Sequence, residues 1–202
     1  MESERRYERN VVEDLLEAAK RHFLENGYDK ASLRKICASA GVTTGALYFS
    51  FKSKEDLFDA LVNPTLTKLD EVLGYLDEQV FQLNGKRFDE KKFNDFIFQF
   101  LIDNREGLRL LMARAGGSQY ESFAGKIHGV VEKLMAHYAR TVGEVEIDPQ
   151  LVSILTNMYF AAVSDLIARD YDHGEMTRVA GALRACMEQG FYAMLEQQRA
   201  EG

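Results

Sequence analysis

Apolar side chains along the first quarter of the chain recur at helical spacing. Val12, Leu15, Leu16, Ala19, Phe23 and Leu24 fall at i, i+3 and i+4 intervals, which predicts a helix over 6–26. Gly27 is placed to stop it as the residue just past the last turn. Ser32 stands where it can cap a short second helix running to 40, with Leu33 and Ile36 inward. Gly41 makes a turn, and Thr43 caps a third short helix that holds Leu47 and Tyr48. Ser53 opens a fourth, with Asp56 three residues later in a pattern close to a capping box.

The remainder repeats the theme with longer helices. The fourth helix is expected over 54–79. Pro64 inside it removes the bond to the carbonyl of Ala60 and predicts a kink or local break. After Asn84-Gly85, Asp89 caps a fifth helix with Phe93, Phe96, Ile97 and Phe100 on one side. A sixth spans 105–115, and Gly116-Gly117 is a turn. Ser118 with Glu121 reads as a capping box for a seventh helix to about 142, ended by Gly143. Asp148-Pro149 is a cap followed by proline at the first helical position and opens an eighth helix to 170. His173-Gly174 reads as a turn before a ninth over 175–197. No strand alternation of any length interrupts this pattern. The expected fold is all-α: an N-terminal three-helix module, then a C-terminal helical domain, about nine helices in all.

Composition agrees. Two prolines in 202 residues suit a helical chain, and 46% hydrophobic residues, with thirteen Phe and nine Tyr, can fill a core without tryptophan. The opening MESERRYERN is charged and lacks a signal-peptide core. The densest apolar runs, 96–102 and 158–163, fall short of the roughly 20 residues a membrane span needs. No membrane partner and a cytoplasmic location are therefore expected. Cys37 and Cys186 form no CxxC pair and no metal-spaced cluster; each is read as a small buried hydrophobe, with a redox sensor as the second reading. No metal and no cofactor are expected.

The net charge of −7 argues at first against a nucleic-acid partner, but its distribution argues otherwise. Residues 1–55 hold ten Lys/Arg against nine Asp/Glu. Within 30–54 stand Lys30, Arg34, Lys35, Lys52 and Lys54 and no carboxylate. Screening over about 8–10 Å lets such a segment bind phosphate locally on an acidic protein. The same segment carries two short helices joined through Gly41, the layout of a helix-turn-helix, in which the second helix enters the major groove. Ala38 and Ala40 are small and let the two helices approach.

The run ASLRKICASAGVTTGALYFSFKSKEDLFDAL, residues 31–61, resembles the signature of the TetR family of transcriptional regulators. There Thr or Ser opens helix 2, AGV makes the turn, T-x-G-x-L-Y opens the reading helix, and F-K-S-K-E-x-L begins helix 4. Phe-Leu-x-x-Gly-Tyr at the end of helix 1 extends the likeness back to about Val11. Beyond 61 only length and helix count match. Cys37 stands where Ala is common, and Phe49-Ser50 where Tyr and His are frequent. The resemblance implies a helix-turn-helix DNA-binding domain over 1–55 and a helical ligand-binding and dimerisation domain over 56–202. It places Thr43, Thr44, Gly45, Ala46 and Phe49 where relatives reach bases or sugars. Tyr48, Ser50 and Lys54 sit where relatives hold phosphates, and Ser32 and Arg34 face the backbone. The physics agrees. Small residues at 44–46 let the helix enter the groove, and a Thr methyl can touch a thymine methyl. Lys54 at a helix start opposes the helix dipole, which favours a phosphate role. Leu47 and Phe51 are core, and Tyr48 is divided between core and DNA. Arg5, Arg6 and Arg9 are either a minor-groove arm or, alternating with Glu2, Glu4 and Glu8, a solvated helix start.

The eighth helix is apolar almost all round, so it must be covered on more than one face. In relatives the last two helices pair with their copies. On that likeness Leu155, Tyr159, Val163, Leu183, Met187 and Phe191 are expected at a homodimer interface, with a purely internal core as the rival. Two reading helices then meet successive major grooves of a palindromic operator, about 34–36 Å apart. Pocket candidates for an unidentified apolar or aromatic small-molecule effector are Phe96, Phe100, Met112, Tyr120, Phe123, His128 and Met135, each also explicable as core. Pro64 is either a hinge between pocket and DNA module or a packing kink. The expected function is a sequence-specific DNA-binding regulator, a repressor released by ligand. The alternative is an all-helical small-molecule-binding protein or enzyme without DNA binding, although no G-x-S-x-G, H-E-x-x-H, P-loop or dinucleotide fingerprint is present and no catalytic residue is assigned.

Overall fold

A computed structural model of the chain describes residues 2–76, 90–141 and 146–201, and every described element is a helix. The side chains of residues 2–10 and of Phe93 lie outside the described set. So do residues 77–79, the Asn84-Gly85 turn, Asp89 and Gly143.

By internal packing the chain forms two units. The first comprises 1–67 with 106–124, and the second 68–105 with 125–202. The sequence reading cuts once, at 55/56. The packing cuts later and returns a distant segment to the first unit, because the apolar faces that cover one another come from both stretches.

In the first unit, helix α1 (Glu2–Lys30) supplies Leu15, Ala18, Ala19 and Phe23, all fully buried. Its pattern breaks at Gly27, whose φ of 76° and ψ of 164° belong to glycine alone among common residues. Helix geometry resumes for one further turn, so the expected stop at Gly27 is a kink followed by a short extension. Helix α2 (Leu33–Ala40) buries Ile36 and Cys37; burial pushes the Cys37 thiol up from its ordinary value, as suits a small hydrophobe. Ser32 occupies the N-cap position of α2 with extended backbone, but its side chain makes no cap bond, contrary to expectation. Helix α3 (Thr44–Ser50) contributes Leu47, and helix α4 (Lys54–Leu76) contributes Leu57, Phe58 and Val62. Helix α4 runs through Pro64 as one element, so the local break does not occur.

Helix α6 (Arg105–Ala113), shorter than expected, lies across α4 in this unit. A Cβ added to Gly107 would stand 1.9 Å from Thr65 Oγ1, so glycine is required for the two helices to cross there. Residues 114–122 are turns, not the start of the seventh helix. Ser118 Oγ donates to the carbonyl of Ala115 (2.6 Å) and accepts from Tyr120 N (3.1 Å), which closes a turn in place of the expected capping box.

The second unit contains α5 (Glu90–Asp103), α7 (Phe123–Thr141, from Gly125 on), α8 (Pro149–Ala168) and α9 (His173–Glu201). Asp148 caps α8 by accepting from Gln150 N at 2.8 Å, with Pro149 at the first helical position as expected. The predicted His173-Gly174 turn is instead the first turn of α9. A reciprocal box explains it: Asp172 Oδ1 accepts from Glu175 N (2.8 Å) and Glu175 Oε2 from Asp172 N (3.2 Å). Leu166, Met176 and Ala180 form a buried cluster covered by Phe98, Ile102, Tyr171, Val179 and Leu183. Arg184 pairs with Asp95 between α9 and α5. The Arg105 guanidinium donates to the carbonyls of Ile167, Arg169 and Tyr171, satisfying the orphan acceptors at the end of α8.

One expectation fails here. Cys186 is exposed on α9. Helix α8, with 20 residues, is by length and composition alone apolar enough to cross a membrane; the run 158–163 is only part of its apolar surface. In the structure Val152, Thr156, Tyr159, Leu166 and Ile167 on it are buried, and the rest of the helix is half-buried or exposed.

Candidate nucleic-acid interface

Gly41 sits in the left-handed region (φ 68°) at the end of α2, where its N–H bonds to the carbonyl of Ala38. A side chain there is strained, so this glycine sets the angle at which α3 leaves α2. Thr43 then caps α3, its Oγ1 accepting from Ala46 N at 3.1 Å. The His22 ring bonds to Ser39 Oγ at 2.8 Å and ties α2 to α1.

Leu47 plugs α3 into the core and Phe51 is buried just after it, as expected. The other face is open. Tyr48 is 57% exposed and Phe49 81%, which resolves Tyr48 as a surface residue. Thr43, Thr44, Gly45 and Arg34 are exposed beside them, and Ser32, Ala46 and Ser50 are half-buried. Lys35 and Lys52 are exposed as well; the absence of carboxylates from 30–54 had marked them in the sequence. A Cβ at Gly45 would meet only Thr43 Oγ1 at an ordinary 3.7 Å, so the fold does not demand glycine there. Gly45 is the second residue of α3, where glycine costs up to about 1 kcal/mol relative to alanine.

Lys54 lies elsewhere. Its ammonium turns back into the protein and donates to the carbonyls of Tyr28 (2.8 Å), Asp29 (3.1 Å) and Ala31 (3.4 Å), 4.4 Å above the Tyr28 ring. Tyr28 in turn stacks near Phe23 and meets Phe58 edge-on.

Polar contacts between distant segments, with no local signal in the sequence, brace this joint. Gln119 Nε2 donates to both oxygens of Asp59 (2.9 and 3.0 Å), and its backbone N–H donates to Glu55 (3.3 Å). Tyr28 N bonds to the carbonyl of Arg114 (2.8 Å), and Lys20 pairs with Glu106 (2.7 Å). Tyr120 packs on Phe58. Burial, then the Asp59 charge and its hydrogen bond, then Glu55, push the Tyr120 hydroxyl up to about 12. No local periodicity in the sequence signals a contact between residues sixty apart.

The pocket candidates divide. Met112, Tyr120 and Phe123 belong to the first unit, where Tyr120 and Phe123 are packed. In the second, Phe100 is buried and Phe96 packs on Tyr75. His128 bonds to Asn157 (2.9 Å) against Phe160, and the Met135 sulfur accepts from Thr156 (3.4 Å). Of the interface candidates, Tyr159 is buried and donates to the Met187 carbonyl (3.1 Å), while Leu183 packs on the internal cluster. Leu155, Val163, Met187 and Phe191 are half-buried. The face of α8 left open carries Ile154 (63% exposed) and Met158 (54%), which the sequence reading did not single out.

Such an arrangement defines an all-helical helix-turn-helix protein. Residues 15–61 match the family model described as bacterial regulatory proteins, tetR family. The Tn10 TetC protein of Escherichia coli is 28% identical over 135 residues, 63% of this chain and 66% of that protein. The repressor BepR of Brucella suis is 38% identical over 77 residues, 38% of this chain and 32% of BepR. The chain thus spans less than two thirds of the length of either. Among solved structures, a TetR-family regulator from Chloroflexus aurantiacus superposes with a TM-score of 0.60 at 19% identity, covering 92% of this chain and 91% of that one. NalD of Pseudomonas aeruginosa, the secondary repressor of the MexAB-OprM efflux pump, gives 0.54 at 23%, covering 89% and 96%. Residues 15–61 are thus similar to the tetR-family model, and the chain shares its helical fold with solved TetR-family regulators.

Proposed function

We propose that this chain is a DNA-binding transcriptional repressor that reads a palindromic operator through α3 as a homodimer and is released by a small apolar or aromatic effector. The observation that carries the reading is the open face of α3: two exposed aromatic rings in a stretch of basic residues with no carboxylate. Phosphate contacts come from Arg34, Ser32, Ser50 and the Tyr48 hydroxyl. Thr44, Phe49 and the Thr43–Ala46 turn of helix meet base edges and sugars, where apolar groups are suited to the thymine methyl. Gly45 leaves room for the groove to close on the helix. A DNA-binding domain over 1–55, an effector and dimerisation domain over 56–202, and a cytoplasmic location complete the proposal. The named repressors among the relatives support it.

The test is selection of bound duplexes from a random pool, repeated with Thr44→Ala and Arg34→Met. The expected outcome is a palindrome whose preferred bases shift with Thr44→Ala, whereas Arg34→Met weakens all sequences alike. Failure to enrich any duplex at low salt would contradict the proposal and turn attention to ligand binding or turnover without DNA.

A further inference from the structure

The family likeness assigns Lys54 to a phosphate, and its place at the first residue of α4, against the helix dipole, gives that assignment a physical motive. The structure supplies a different one. The last carbonyls of a helix lack partners further along it, and the turn 28–31 ends α1 past the kink at Gly27, where the Tyr28 carbonyl also accepts from Ala31 N (3.3 Å). The Lys54 ammonium fills that place: it donates to three of these carbonyls and rests on the Tyr28 ring. A cation unfavourable at the start of its own helix is thereby favourable at the end of another.

Position gives this contact a consequence. The carbonyls lie just before α2, and Lys54 lies just after α3 and its Phe51–Ser53 connection. One ammonium therefore joins the chain entering the helix-turn-helix to the chain leaving it. We infer that Lys54 is a positioning residue that fixes the base of the α2–α3 pair, and that it is not a phosphate ligand. The inference rests on the DNA-binding reading above.

Salt dependence separates the two roles. Each phosphate neutralised by a side chain adds close to one unit to the slope of log affinity against log salt. Affinity for the selected duplex is measured by fluorescence anisotropy over a series of KCl concentrations, well below the melting temperature of each variant. Lys54→Met is expected to weaken binding several-fold with the slope of the parent protein, and Lys54→Arg, which still donates to carbonyls, to recover most of it. Arg34→Met, the proposed phosphate ligand, lowers the slope by about one unit. Tyr28→Leu removes the ring beneath the ammonium and keeps the charge. It too is expected to weaken binding without changing the slope, and it decides the matter should Lys54→Met not fold. A slope reduced by about one unit in Lys54→Met, or unaltered affinity in Tyr28→Leu, overturns the positioning role alone. Absence of binding to any duplex by the parent protein overturns the DNA-binding reading and this inference with it.

Discussion

Two patches of exposed apolar side chains stand on this molecule, and they differ in what surrounds them. On α3, Tyr48 and Phe49 project from a seven-residue helix flanked by Arg34, Lys35 and Lys52 with no carboxylate in the segment. On α8, Ile154 and Met158 lie one turn apart on a long helix whose other sides are buried or half-buried. Exposure alone does not say what meets the patch. The charge around the first fits a polyanion with thymine methyls, whereas the second has no such basic surround and is proposed to meet a copy of itself. The supports differ as well. The first patch is held by polar ties between distant segments, through Lys54, Gln119 and Lys20; the internal cluster beside the second is chiefly apolar.

The largest expected effect strikes the support of the first patch. Phe58 is fully buried among Phe23, Tyr28 and Tyr120, so Phe58→Ala should lower stability by about 3–5 kcal/mol in chemical denaturation. A loss under 1 kcal/mol would show that this cluster does not hold the reading unit together. Next, Gly107→Ala should cost about 1–3 kcal/mol by overpacking against Thr65, and the double variant with Thr65→Ala should recover most of it. Gly45→Ala should move the two properties in opposite directions. The free protein gains about 0.5–1 kcal/mol because the site has room and alanine favours helix, while affinity for the selected duplex falls. A gain in both would remove the argument that DNA approaches closely at Gly45.

Smaller effects sharpen the comparison. The Tyr120 hydroxyl is raised to about 12 in the folded chain from an ordinary value of 10. Its contribution is therefore complete below pH 10 and lost as pH rises from 10 toward 12, because the unfolded chain releases that proton first. Thermal melts across that window should show less alkaline loss for Tyr120→Phe than for the parent; equal loss would place the alkaline sensitivity in other groups. Ile154→Ser with Met158→Ser should change the melt of dilute protein little yet reduce the sedimenting mass from dimer to monomer at higher concentration. An unchanged mass would move the self-association surface off this face.

The sequence exposed the helix-turn-helix because its signals are local: Gly41 needs a left-handed backbone, Thr43 caps within three residues, and Leu47 and Phe51 fall inward by periodicity. The same locality misled at Ser118, where a capping-box pattern closes a turn, and at His173, where Asp172 supplies a box one residue earlier than the expected turn. Lys54 shows the limit most plainly. Its oddity at a helix start was visible in the sequence, but its partners lie 23 to 26 residues away across a glycine kink. The interface candidates Tyr159 and Leu183 turned inward for a related reason: when a helix is apolar on nearly every side, periodicity cannot say which side its own unit covers.

In the proposed symmetric complex the open face of α3 meets DNA twice. Hydroxyl-radical footprinting of the selected duplex tests it most directly. Two protected patches are expected, related by a two-fold axis and centred about 34–36 Å apart, both lost with Phe49→Ala. A single asymmetric patch, or a footprint that Phe49→Ala leaves intact, would contradict it.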